Sequence, residues 1–155
     1  MTYHPRLSEQ LTVVGRIKPQ SVTATQTATS DIVDMAYHAR LMVLVNLGDY
    51  AAGNDGSVAV ALYSDSASNM ATEADITGKA LTTGSFTGSA GDDAVGIIEL
   101  TAEELAAIGQ TQRYVRLKIT PSNQNLTAGA ILLAGHSRYG KAEDFDLTKV
   151  KEIIA

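Results

Sequence analysis

The chain has 155 residues and no cysteine, which excludes a disulfide framework and any zinc–thiolate site. It has no tryptophan and two phenylalanines. Aromatic rings supply much of the buried area of cores and line most small-ligand pockets. Their scarcity predicts a core of Val, Ile, Leu and Ala, and it disfavours both an enclosed ligand cavity and the stacking platforms of a glycosidase cleft. Lys and Arg never form a run, and the formal net charge is −5. Nucleic-acid binding, which needs basic side chains to neutralise phosphates, is therefore not expected. The apolar runs are short, as at Leu41 to Val45 and Ala128 to Ala134, against the ~20 residues of a membrane span. The opening Met1-Thr2-Tyr3-His4-Pro5-Arg6 is polar and lacks the apolar centre of a secretory signal. The expectation is a protein that stays where it is made.

What the chain does have is alternation. In Arg113 to Thr120, Val115, Leu117 and Ile119 take every second place, with Tyr114, Arg116, Lys118 and Thr120 between them. Side chains of a strand point to opposite faces in turn, so this segment reads as a strand with one apolar and one wet face. That pattern belongs to antiparallel sheets. Leu11 to Ile17 reads as a first strand ended by Pro19, and Ser21 to Ser30, rich in Thr and Ser, as a solvated β segment or an extended loop, with an edge strand near Val22 the favoured form. Asp31 to Met35 is a short apolar segment. Arg40 to Leu47 is apolar on both faces, the mark of a central strand covered on each side. Asn54-Asp55-Gly56 has the residues of a tight turn, and Ser57 to Ser64 reads as the returning strand. Asp65 to Ala74 is polar, Ile76 to Phe86 holds two β pieces joined around Gly84, and Ala94 to Leu100 is a further strand. Thr101 and Glu104 have capping-box spacing, so one short helix is expected from there to Gly109. A turn at Pro121-Ser122-Asn123 and a last strand at Leu126 to Ala134 complete the pattern.

Seven or eight short strands at this spacing predict an all-β, antiparallel sandwich of jelly-roll type with one short helix and extended termini. The expected divisions are an arm at 1–10, the sandwich at 11–140 and a tail at 141–155. In the tail, Leu147, Val150 and Ile154 stand at helical spacing. Such an amphipathic stretch either packs back on the domain or reaches a neighbour.

Residues with chemical potential are scattered. His4, His38 and His136 have neither helical spacing nor accompanying thiolates, so no metal site is expected. The acidic pairs Asp31/Asp34, Asp92/Asp93 and Asp144/Asp146 lack the oxygen ladder of a calcium loop. No Gly-x-Ser-x-Gly elbow or phosphate-binding glycine loop occurs. The reading is therefore of a non-enzymatic protein without a cofactor. Tyr and Arg are enriched at protein interfaces, which makes the outward row Tyr114, Arg116 and Lys118 a candidate contact surface. Arg138 and Tyr139 have the same composition, and Leu147, Val150 and Ile154 join them as candidate interface residues.

Several segments together carry a family resemblance. They are Asp31-Ile32-Val33-Asp34-Met35, the 40–47 strand with Asn46-Leu47-Gly48, and Asp75-Ile76-Thr77-Gly78-Lys79-Ala80-Leu81. Ile98-Glu99-Leu100, Arg113-Tyr114-Val115-Arg116 and Gly135-His136-Ser137-Arg138-Tyr139 continue the series. Over roughly residues 11 to 140 this resembles the capsid cement, or head decoration, proteins of tailed bacteriophages of the Bordetella-phage type. The resemblance implies a jelly-roll-like sandwich on the exterior of the virion, bound across capsomer boundaries and without enzymatic activity. It also implies synthesis in the host cytoplasm, the major capsid protein as a partner, and symmetric self-association, with a homodimer favoured over a trimer. The competing expectation is a carbohydrate- or receptor-binding sandwich of a phage fibre or tail, which would need an aromatic patch or a calcium site on one face.

Overall fold

The computed structural model describes residues 10–50, 56–82, 93–109 and 111–137. Among these described residues there are nine strands, β1 (Leu11–Val22), β2 (Ala28–Thr29), β3 (Val33–Asp34), β4 (His38–Tyr50), β5 (Ser57–Asp65), β6 (Ala74–Ala80), β7 (Ala94–Thr101), β8 (Tyr114–Ser122) and β9 (Leu126–Ser137), and one helix, α1 (Ala102–Ile108). One sheet has the order β1-β9-β4-β7; the other has β2-β8-β5-β6, with β3 also paired to β8. Every pairing is antiparallel. With β2 and β3 taken as one interrupted strand, the two orders become 1-8-3-6 and 2-7-4-5. That is the arrangement of a jelly roll.

Period-2 alternation fixes which side chains meet between the sheets. Leu41, Val43, Val45 and Leu47 of β4 face Leu62 of β5 and Val115, Leu117 and Ile119 of β8 across the core, all of them at most 1% exposed. The core is aliphatic, as the composition predicts; among the described residues its one aromatic ring is Tyr50. A Cβ on Gly56 would lie 2.3 Å from that ring, so glycine is required where the chain passes it.

Three local expectations are corrected. β1 does not end at Pro19 but runs on to Val22. It is the outermost strand of its sheet, and its register slips between Ile17 and Gln20. An edge bulge is where a residue without an N–H is tolerated, and a Cβ on the facing Gly129 would come within 3.2 Å of Pro19 Cα. The separate edge strand expected near Val22 is therefore the end of β1, followed by the two-residue β2. Arg40 to Leu47 is central within its sheet, between β9 and β7, but only one face is covered, because Met42 and Leu44 on the other are only half-buried.

The helix forms as its spacing predicts. Thr101 accepts from the Glu104 N–H at 3.1 Å, and Glu104 accepts from the Thr101 N–H at 2.8 Å. Leu105 is its buried residue, and the Lys79–Glu104 ion pair at 2.7 Å ties it to β6. Between β5 and β6, the buried carboxylate of Asp65 organises the turn. It accepts N–H bonds from Ala67 at 3.0 Å and Thr72 at 2.7 Å, and these hold its pKa below the ordinary value against the opposing effect of burial. The Asn54-Asp55 turn, the β piece expected around Gly84 to Phe86, the arm before Gln10 and the tail lie outside the described residues.

Candidate functional site

The outward row of β8 is built by the same alternation that buries Val115, Leu117 and Ile119. Tyr114, Arg116 and Lys118 do lie on the opposite face, but each is half-buried. For the two cations the reason is Glu73, which immediately precedes β6. Its carboxylate accepts from Arg116 Nε at 2.5 Å and pairs with Lys118 Nζ. The Lys118 ammonium also lies 4.3 Å from the centre of the Tyr63 ring. The hydrogen bond from Arg116, with that of Lys118, holds the Glu73 pKa below its ordinary value against partial burial. Arg116 responds in the opposite sense. The cations of this row are therefore held by neighbours on their own sheet.

A second cluster adjoins it and was missed in the sequence. Arg113 donates from Nε to Asp34 Oδ1 at 2.6 Å and lies between two rings, 6.0 Å from the centre of Tyr37 and 5.2 Å from that of Tyr114. Partial burial raises the Asp34 pKa. Arg113 and the Ala36 N–H outweigh that and leave the carboxyl below its ordinary value. Tyr37 is 47% exposed. The signal was present only in part: Arg113-Tyr114 is a visible pair, but Asp34 and Tyr37 reach it through the pairing of β3 with β8. Beneath the cluster, burial lowers the pKa of His38 against the pull of Asp34.

The other sheet presents a different outer face. Its outward rows run across the strands as Val13–Leu133–Met42–Glu99 and Arg16–Ile131–Leu44–Ile97. Ile97 is 58% exposed and Ile131 47%, and Val95, one outward place further along β7, is 65% exposed. A shallow hollow of about 550 Å³ on this face is lined by Arg16, Pro19, Leu44, Asp93, Val95 and Ile131, among others. Local sequence pattern does not single this face out.

Of the predicted site residues, the structure brings Tyr114, Arg116 and Lys118 together on one sheet. Arg138, Tyr139, Leu147, Val150 and Ile154 lie outside the described residues. Among the described residues no three His, Asp or Glu side chains converge as a metal would require.

No protein-family model and no curated protein matches the chain. Solved structures with a similar fold include a chain of infectious bursal disease virus, Gx strain, at 12% identity and TM-score 0.45, covering 85% of this chain and 34% of that one. This chain thus spans about a third of that virus chain. A carbohydrate-binding module specific for non-crystalline cellulose is similar at 8% identity and TM-score 0.44, covering 77% of this chain and 70% of that one. A chain of naturally occurring empty particles of cowpea mosaic virus is similar at 12% identity and TM-score 0.40, with 85% and 86% covered.

Proposed function

We propose that this protein is a structural component of a virus shell, specifically a decoration protein that cements the exterior of a tailed-phage head across capsomer boundaries. The observation that carries the reading is the division of the jelly roll into two unlike outer faces. One has its charges tied up in Glu73, Arg116 and Lys118; the other leaves Val95, Ile97 and Ile131 open to solvent. A sandwich with its cations paired on one side and an open apolar surface on the other is suited to assembly rather than to turnover. The resemblance of residues 11 to 140 to Bordetella-phage cement proteins supports the finer assignment. On this reading the protein is not an enzyme, is made in the host cytoplasm, and binds the major capsid protein. It also binds itself, as a dimer in preference to a trimer. Residues 1–10, residues 141–155 or both add contact area on a neighbouring subunit.

The test is to mix undecorated heads with the full chain, with a chain lacking residues 1–10, and with one lacking residues 141–155. The full chain should saturate the heads, and at least one deletion should weaken binding while leaving the melting temperature of the sandwich nearly unchanged. Undiminished affinity for both deletions would remove the termini from the interface.

A second reading has one observation in its favour. The exposed Tyr37 ring, with Arg113 and Tyr114 beside it, is the kind of aromatic patch a glycan- or receptor-binding module of a fibre or tail would use. Glycan-array binding abolished by Tyr37→Ala would support that reading over the first.

A further inference from the structure

We infer that the outer face of the β1-β9-β4-β7 sheet is the surface through which two copies of this chain associate, sheet against sheet, about a two-fold axis parallel to the strands. The inference rests on the self-association proposed above and names its surface.

The face is large enough for a weak specific contact. Four strands about 4.8 Å apart, each with four outward places about 6.8 Å apart, make a face of roughly 500 Å². Two such faces in contact bury about 1,000 Å², the lower limit for a specific interface. Its centre is aliphatic, with Ile131, Leu44 and Ile97 in one row.

Charge selects the axis. Arg16 and Lys18 lie on β1 at one edge, and Asp93 and Glu99 lie before and on β7 at the other. Among the described residues none of the four belongs to an ion pair within the chain. A face-to-face pair can be related by a two-fold along the strands or by one across them. The axis across the strands lays β1 on β1 and β7 on β7, so cations meet cations and carboxylates meet carboxylates. The axis along the strands lays β1 on the partner's β7. Arg16 then faces the row of Ile97 and lies one outward place from Glu99, and Lys18 lies beside Val95 and Asp93. Ile131 meets Leu44 at the centre. An isologous contact makes each of these pairings twice. A second copy thus supplies apolar cover and opposite charge together.

The test is sedimentation equilibrium of the full chain from about 1 to 500 µM, a range chosen because an interface of this size is weak. The wild type should form a dimer with a dissociation constant on the order of 10 µM. Arg16→Glu and Glu99→Arg should each weaken it at least about tenfold, because like charges then meet at two symmetric places. The double variant should return to within about threefold of wild type. Ile97→Asp should also weaken the dimer at least about tenfold. If that chain proves misfolded by circular dichroism, the two charge variants, both on solvent-facing side chains, decide the matter. A wild type monomeric throughout overturns the inference together with the dimer itself. A dimer indifferent to all of these variants leaves self-association standing but moves it to another surface. Weakening by both single reversals without recovery in the double variant overturns the axis. Dimerisation only after residues 141–155 are removed would make the chain's own tail the occupant and overturn the inference.

Discussion

Truncating Leu117 to alanine removes three carbons from the middle of β8, at a side chain with no exposed surface. Leu117 pairs with Leu62 on β5, and its backbone carbonyl and N–H are held by the Ser30 N–H and Ser30 Oγ at 3.0 and 2.9 Å. The strand is thus pinned from both sides and cannot shift inward to fill the space. The lost transfer energy is about 0.8 kcal/mol per carbon, or roughly 2.4 kcal/mol. A residual cavity of about 60 Å³ adds roughly 1.4 kcal/mol at ~24 cal/mol per Å³. The expected loss is about 4 kcal/mol, equivalent to a fall in melting temperature of about 8–16 °C for a chain of this size. The control is Ile97→Ala, an aliphatic truncation on the outer face of a strand in the other sheet, measured at sub-micromolar concentration. Its expected effect is within about 0.5 kcal/mol. Chemical denaturation of both variants with unchanged m-value is the assay. Equal displacement of the two midpoints would refute the assignment of inner and outer faces.

Glu73→Gln takes the anion from between Arg116 and Lys118, and should cost about 1–3 kcal/mol in urea unfolding, since two half-buried cations lose their charged partner. Thr101→Ala removes the helix cap and should cost about 1 kcal/mol, with Thr101→Ser restoring most of it. Stability should fall with acid in two stages, read as the urea midpoint from pH 8 to pH 3. Burial lowers the folded pKa of His38, so the unfolded chain takes up that proton first and stability falls below about pH 6.5. Asp34, Glu73 and Glu104 are also held below their ordinary values. Their contribution is complete above about pH 4.5 and is lost below it as they protonate. His38→Gln should abolish the upper stage and leave the lower one.

The strands were legible where one face alone is apolar. Val115, Leu117 and Ile119 alternate with polar side chains, and no tertiary information is needed to place them. The helix was legible because Thr101 and Glu104 satisfy each other locally. Arg40 to Leu47 misled, because a strand apolar on both faces looks the same whether a second layer covers it or leaves it open. The difference lies in what packs above Met42 and Leu44, and local pattern does not encode that. Pro19 misled for a related reason: its missing N–H ends a central strand but not an edge bulge, and edge position follows from strand order. The ion pairs were invisible on the same ground. Asp34 and Arg113 are 79 residues apart, and Glu73 and Arg116 are 43 apart; only the jelly-roll order, with β3 and β5 paired to β8 and β6 next to β5, brings them together.

Attachment to a shell is tested by imaging undecorated tailed-phage heads after addition of the purified full chain. New density is expected on the outer surface at the boundaries between capsomers, into which a jelly roll of this strand order fits, and the decorated heads should retain their DNA to a higher temperature than bare ones. Heads that remain bare at saturating protein concentration, with unchanged temperature of DNA release, would contradict it.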